Sequence, residues 1–283
     1  MSRRAAMITM AAVASSACTQ IEFLAANVPA FFGPFRRHSD IAYGPDRRQR
    51  LDLYLPSKAA KVRCPVVVFW HGGRWSDGDK SQYRFVGAAL AQSGFVAVLP
   101  NYRHYPSVKM PGFMQDSALA AAWAVNYARE YHDARNFFLM GHSSGAHLAT
   151  LVALDPRYFT AIGPVPDITG VIGLSGPYDF LPLREAYLQD MFGPPELYPL
   201  SQPINFVRAD APPMLLIHGE RDETVAPNNS RNLAAALQAK GVAVTLRMYP
   251  RLQHADTIAA LSEPARRRAP VLADIAAFIG QFS

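Results

Sequence analysis

The chain has 283 residues, with 28 Lys and Arg against 22 Asp and Glu, a formal charge of +6, and two cysteines. Half of the residues are hydrophobic and 18% are charged, enough apolar side chain for a sizeable core and too little charge for a disordered chain. Two cysteines build neither a disulfide framework nor a Cys-rich zinc site, and no apolar run reaches the roughly 18 residues of a membrane-spanning helix.

Residues 1–17 have the pattern of an export signal. Arg3 and Arg4 give a charged start, Ala5 to Ala14 a short apolar stretch, and Ser15-Ser16-Ala17 small residues for cleavage. Cys18 follows directly, as in bacterial lipoprotein signals, where that cysteine is lipidated. The expectation is an exported protein, periplasmic or held on the membrane through Cys18. Removing the segment takes away two arginines and no acid, leaving a charge of 6 − 2 = +4. Cys64, just before an apolar strand, is expected to be a small buried residue.

Residues 18–40 form a lead-in, with a helix expected over Gln20 to Phe35, and residues 41–283 a single catalytic domain. Arg50 to Leu55 alternates and predicts an edge strand. Pro65 to Trp70 is a continuous β-branched and aromatic run, the pattern of a strand covered on both faces. Asp79 to Ser93 has helical spacing, stopped by Gly94, and Phe95 to Leu99 is a second buried strand. The alternation then repeats. Helices are expected over Gln115–Tyr131, Ser144–Leu154, Asn229–Lys240 and Pro264–Phe282, and strands over Phe137–Met140, Thr169–Leu174, Met214–Ile217 and Val242–Tyr249. Such alternation predicts an α/β fold, a mostly parallel sheet of about eight strands with helices on both faces. Tyr178 to Ala211 breaks the rhythm. It is rich in Pro, Leu and aromatics and long for a connection, and is expected to be a lid-like insertion.

Gly141-His142-Ser143-Ser144-Gly145 places G-x-S-x-G between a strand and a helix, the context in which that motif presents a nucleophile. A serine hydroxyl needs a base beside it. His254 lies five residues past the last strand, and Asp222 follows the strand before it. The chain order Ser143, Asp222, His254 then supplies nucleophile, acid and base. His71-Gly72-Gly73-Arg74-Trp75 follows the buried 65–70 strand. Gly72 and Gly73, with the Ser144 N–H, are the candidate oxyanion donors. Among the other histidines, His142 neighbours Ser143, but the elbow turns it elsewhere. His147 is expected to pack or hydrogen-bond, and His218 to order its local turn. Glu220, Glu223 and Asp179 are weaker candidates for the acid. Arg74, Trp75 and His142 are the expected pocket residues, together with the 178–211 segment and the lead-in. Arg74 faces either solvent or an acidic substrate group.

HGGRW at 71–75, LPNYRHYP at 99–106, GHSSGAHLA at 141–149, LSGPYDF at 174–180 and PMLLIHGERDETVAPNNS at 213–230 resemble segments of the α/β-hydrolase superfamily. Within it the chain is similar to esterases with an HGG-type oxyanion loop: the hormone-sensitive-lipase-like, feruloyl-esterase-like (BD-FAE) and arylformamidase-like groups. The resemblance runs from about residue 40 to the end. It implies a serine carboxylic-ester hydrolase acting through an acyl-enzyme, with no cofactor and no metal. Ser143, Asp222 and His254 carry over as triad, and Gly72, Gly73 and Ser144 as oxyanion donors. The chain departs at Arg74, where relatives have a third Gly or a small or aromatic residue, and at Asn101, where they commonly have Asp.

The expected substrate is a small to medium, apolar ester. An arylformamidase-like amidase would use the same machinery, and a catalytically inactive binding module is the reading from a different class. Nucleic acid is not an expected partner. The one dense basic run, Arg266-Arg267-Arg268, is expected on a solvated face of the last helix. No P-loop, G-x-G-x-x-G or H-E-x-x-H occurs.

Overall fold

Residues 66–70 form strand β3 (Val66–Trp70), and all five are buried. Side chains in a strand alternate between faces, so a strand buried throughout needs cover on both sides. The core shows this. Val66, Val68 and Trp70 lie in one hydrophobic cluster, Val67 and Phe69 in the other. The same alternation holds in β4 (Val96–Pro100), β5 (Phe137–His142), β6 (Gly170–Leu174) and β7 (Met214–Gly219). The computed structural model describes residues 23–57, 64–131 and 136–282. Residues 1–17, Cys18 and His132 lie outside the described residues.

With β1 (Phe35–Ala42), β2 (Arg50–Pro56) and β8 (Val244–Tyr249), the strands form one sheet of eight in the order β1-β2-β4-β3-β5-β6-β7-β8. Strands β3 to β8 run parallel, and β2 runs antiparallel to both its neighbours, β1 and β4. Helices α2 (Gly112–Tyr131), α3 (Ser144–Leu154) and α5 (Asn228–Ala239) cover one face. Helices α1 (Arg84–Gln92), α6 (Asp256–Ala259) and α7 (Val271–Gly280) cover the other. Cys64 is buried at the edge of the first cluster.

Three expectations are corrected. First, β2 is not an edge strand, because β1 pairs with its outer side. Strand β1 starts at Phe35, so the expected break between lead-in and domain at residue 40 falls inside a strand. The alternation in β2 misled because its polar positions are also covered. Asp52 is fully buried and accepts from Arg37 Nη2 and Lys80 Nζ, each at 2.7 Å. Second, among the described residues of the lead-in the helix covers 23–27 and is followed by a 3-10 turn at Pro29–Phe31. Third, the expected 264–282 helix is divided. Arg266–Arg268 form a 3-10 turn, and Pro270 precedes α7. Proline offers no N–H for an i→i−4 bond, so a helix starts at it more readily than it runs through it. The 178–211 segment contains α4 (Ala186–Phe192) and two 3-10 turns, Pro195–Ser201 and Pro203–Phe206.

The departure at Asn101 is braced, as is its neighbour Arg103. Asn101 Oδ1 accepts from Lys80 N at 2.7 Å, and its Nδ2 donates to Asp79 Oδ2 at 2.6 Å. Arg103 forms a forked pair with the buried Asp116, with Nη2–Oδ1 at 2.7 Å and Nε–Oδ2 at 2.9 Å.

The packing of α3 against β3 leaves no room at Gly145, where a Cβ would stand 2.0 Å from Trp70 O. Gly145→Ala is therefore expected to lower stability by about 1–3 kcal/mol. Gly280→Ala, with nothing within 4 Å, is expected to be neutral or slightly stabilising. Thermal denaturation of the two variants checks the contrast.

Candidate active site

Strand β5 ends at His142 and α3 begins at Ser144, so a single residue makes the turn between them. That residue, Ser143, has φ +55° and ψ −126°, a conformation costing on the order of 1–3 kcal/mol for a residue with a Cβ. Its surroundings hold it there. Ser143 N donates to Leu174 O at 2.9 Å, and Ser143 O accepts from Ala146 N at 2.9 Å. The flanking glycines serve close approach rather than unusual φ. A Cβ on Gly141 would lie 2.1 Å from Gly145 O. The turn lifts Ser143 Oγ above the carboxyl edge of the sheet, at the positive end of α3.

His254 enters from the loop after β8. Its Nδ1 lies 2.7 Å from Asp222 Oδ2 and its Nε2 2.9 Å from Ser143 Oγ. A carboxylate only accepts, so the proton sits on Nδ1 and Nε2 is left to accept from the serine. Asp222 sits in the turn after β7 and is saturated. Its Oδ1 accepts from Thr224 N at 2.9 Å and Val225 N at 2.8 Å, and its Oδ2 takes a second imidazole, His218 Nε2, at 3.1 Å. Burial alone would raise the Asp222 pKa. The hydrogen bonds from His218 and His254 and the backbone amides outweigh it and hold the carboxyl well below its ordinary 3.8.

His218 was expected to order its local turn. It also orders the acid: Nε2 faces Val225 O at 3.0 Å as well as Asp222, and Nδ1 accepts from Ser230 Oγ at 2.7 Å. The sequence signal was its position four residues before Asp222. The weaker acid candidates go elsewhere. Asp179 accepts from Asn232 Nδ2 at 2.7 Å, and Glu220 pairs outward with Arg231.

The 71–75 loop runs through three consecutive left-handed residues: Gly73 at φ +129°, Arg74 at +55° and Trp75 at +60°. Gly73 must lack a side chain, because a Cβ would be 2.0 Å from Asp77 O. Gly73 O accepts from Ser76 N at 3.0 Å and Asp77 N at 2.8 Å. Among the described residues, the N–H groups of Gly72, Gly73 and Ser144 donate to no backbone carbonyl. The Gly72 backbone passes against the serine: a Cβ there would lie 3.1 Å from Ser143 Cβ.

Arg74 and Trp75 tolerate positive φ because their side chains are tied down. Trp75 Nε1 donates to His147 Nδ1 at 3.2 Å, and His147 Nε2 donates to Ser201 O at 2.7 Å. Burial pushes the His147 pKa down to about 4, which keeps the ring neutral for this two-way role. The Trp75 ring stacks on Phe180 and meets Phe192 edge-on. Arg74 Nη2 donates to Glu185 Oε2 at 2.6 Å and to the Tyr187 hydroxyl. Arg74 therefore faces solvent, as one of the two expectations had it, with its charge engaged by Glu185 in a surface pair. Glu185 and Tyr187 carried no recognisable pattern in the sequence.

A cleft of about 470 Å³ opens at Ser143. Ser144, Arg74 and Trp75 line it, with the 177–188 segment on one side and residues 224–226 on the other. Two expected lining elements are absent. His142 is buried behind the serine, and its Nε2 donates to His254 O at 3.1 Å. Burial, then the neighbouring His254, lowers its pKa to about 3 and keeps it neutral. The lead-in packs on α1 instead, where Asn27 Nδ2 donates to Gln82 O at 2.7 Å. A somewhat larger cleft, about 560 Å³, lies between α2 and the 178–211 segment. It contains none of Ser143, Asp222 or His254, whereas Ser143 lines the smaller one. Among the described residues no cluster of His, Cys, Asp or Glu could hold a metal ion.

Comparison with known proteins agrees with this geometry. Esterase LipQ of Mycobacterium tuberculosis is 31% identical over 259 residues, covering 83% of this chain and 62% of the relative. Isoprenylcysteine alpha-carbonyl methylesterase ICME of Arabidopsis thaliana is 30% identical over 267 residues, covering 86% of this chain and 62% of the relative. The chain thus spans less than two thirds of the length of these curated relatives. Among solved structures, a phosphonate-inhibited Esterase B from Lactobacillus rhamnosis superposes with a TM-score of 0.81 at 23% identity, covering 100% of this chain and 96% of that one. At that identity the likeness shows the fold. The model of the BD-FAE family matches residues 51–237, and the chain belongs to that family.

Proposed function

We propose that the protein is a serine carboxylic-ester hydrolase working through an acyl-enzyme, with Ser143 as nucleophile, His254 as base and Asp222 as its orienting acid. The observation that carries this is the unbroken chain from Asp222 through His254 to Ser143 Oγ, at 2.7 and 2.9 Å. His254 takes the hydroxyl proton as Ser143 Oγ attacks the acyl carbon. The oxyanion forms against the N–H groups of Gly72, Gly73 and Ser144, stabilisation typically worth about 3–4 kcal/mol per donor. His254 then protonates the departing alcohol, takes a proton from a water that attacks the acyl carbon, and returns it to Ser143 Oγ as the serine ester breaks and the acid leaves. Asp222 stays ionised throughout, since its donors favour the charged form.

The cleft supports a small to medium ester. Its walls are apolar, with Trp75, Phe180, Leu183 and Leu188, and its rim is charged, with Arg74, Arg184 and Glu185. Residues 1–17 and Cys18 support export with a lipid on Cys18, a reading that rests on the sequence pattern alone.

Ser143→Ala is expected to leave the fold and melting temperature intact, abolish hydrolysis of p-nitrophenyl esters and prevent labelling by a fluorophosphonate. Undiminished turnover in that variant would remove the assignment.

His218→Leu removes one of the donors that hold the Asp222 pKa down. A depressed carboxyl pKa contributes stability that is complete above its ordinary value near 3.8 and is lost as the pH falls below it. With that depression reduced, the acid-unfolding midpoint is expected to move to higher pH, as read by tryptophan fluorescence. Ester turnover should also fall, because Asp222 would orient His254 less firmly.

A further inference from the structure

Large apolar side chains exposed among the described residues are few, and four of them fall within nine positions. Leu24 is 67% exposed, Val28 52%, Phe31 59% and Phe32 85%. Fraying does not explain them, because the backbone that carries them is clamped to α1. Asn27 bridges Gln82 O at 2.7 Å and Phe85 N at 3.0 Å, Ala26 and Ala30 are buried, and the Phe23 ring lies 5.0 Å from that of Tyr83. A fixed segment turns these side chains outward.

The rim of this patch is basic. The Arg84 guanidinium lies 4.7 Å over the Phe31 ring. Arg266 lines a shallow hollow with Ala26, Pro29 and Ala30, where one acid, Glu263, also faces. Among the described residues neither Arg266 nor Arg267 pairs with a carboxylate; of the 266–268 run, only Arg268 does, with Asp256. On the other side, Arg84 opens into a basin of about 480 Å³ whose walls hold five further cations and two acids, Asp40 and Asp79.

We propose that this N-terminal face seats on an anionic lipid bilayer, with Leu24, Val28, Phe31 and Phe32 entering the headgroup boundary and Arg84 and Arg266 on the lipid phosphates. Apolar side chains ringed by arginines are what an interfacial surface requires. A second copy of the chain fits poorly, since it would bring two basic rims together. The covalent reach agrees: Cys18 lies five residues before Phe23, at most about 18 Å of extended chain. A lipid on Cys18 would thus be anchored beside the patch, and an acyl anchor joined to a basic surface gives the two signals that stable attachment needs. The surface extends the lipidation proposed above but does not depend on it. None of these residues lines the catalytic cleft, so docking leaves the cleft open.

The test uses full-length protein carrying Cys18→Ala, so that no lipid is attached and residues 1–22 contribute equally in every sample. Co-sedimentation is measured with phosphatidylcholine vesicles and with vesicles containing about one third phosphatidylglycerol. The protein is expected to prefer the anionic vesicles, with binding that weakens as salt is added. The double variant Phe31→Ser, Phe32→Ser should lower the partition by about tenfold or more. Arg84→Gln and Arg266→Gln should each lower binding to the anionic vesicles by about fivefold. Ester turnover should be unchanged in all of them. Equal partition of variants and parent, no preference for anionic lipid, or a sedimenting dimer that Phe31→Ser, Phe32→Ser dissolves would each overturn the proposal. Lipidation is read separately, by mass spectrometry of the natural Cys18 protein, so its failure leaves the vesicle result standing.

Discussion

One buried carboxylate organises the reactive end of this molecule. Asp222 has lost its water and takes four protein donors instead: two backbone amides of its own turn and two imidazoles from different elements. A buried carboxylate short of donors would cost several kcal/mol or give up its charge. The turn after β7, the position of His218 and the docking of the His254 loop are therefore tied together through one group. His142 adds a further constraint from behind by holding the His254 carbonyl. His254 is thus fixed at its ring and at its backbone, with Nε2 2.9 Å from Ser143 Oγ.

Strands buried on both faces leave continuous apolar runs, and those runs were legible along the whole chain. The reactive residues were legible for a related reason. Ser143, Asp222 and His254 each follow the carboxyl end of a strand, so strand prediction placed them at one edge before any contact was known. Two strands were misread, one through hidden burial and one through exposure. The alternation in β2 resembled an edge because Asp52 reads as a surface residue until Arg37 and Lys80 are seen to meet it. Strand β1 was hidden because its pattern is mostly exposed and polar, as an edge strand's is.

The pocket was the least legible part. Its far wall comes from the 178–211 segment, whose short helix and 3-10 turns have no period to read. Contacts such as Arg74 with Glu185, 111 positions apart, depend on where that segment folds back. His142 illustrates the same limit on a smaller scale. Adjacent to the serine in sequence, it lies behind it in space, because the elbow reverses the side-chain direction within one residue.

The tryptophan of the 71–75 loop reaches the 178–211 segment through a histidine of α3: Trp75 to His147 to Ser201 O. The 71–75 loop, the helix behind Ser143 and the far wall of the cleft are thereby wired in series through one neutral ring. A change of substrate range by exchange of that wall alone is consequently constrained. Any replacement segment has to return a carbonyl acceptor to the place of Ser201 O, or His147 loses the tautomer that steadies Trp75. Diversification of the cleft is then easiest at side chains such as Leu183 and Leu188, which line it without bearing on that relay.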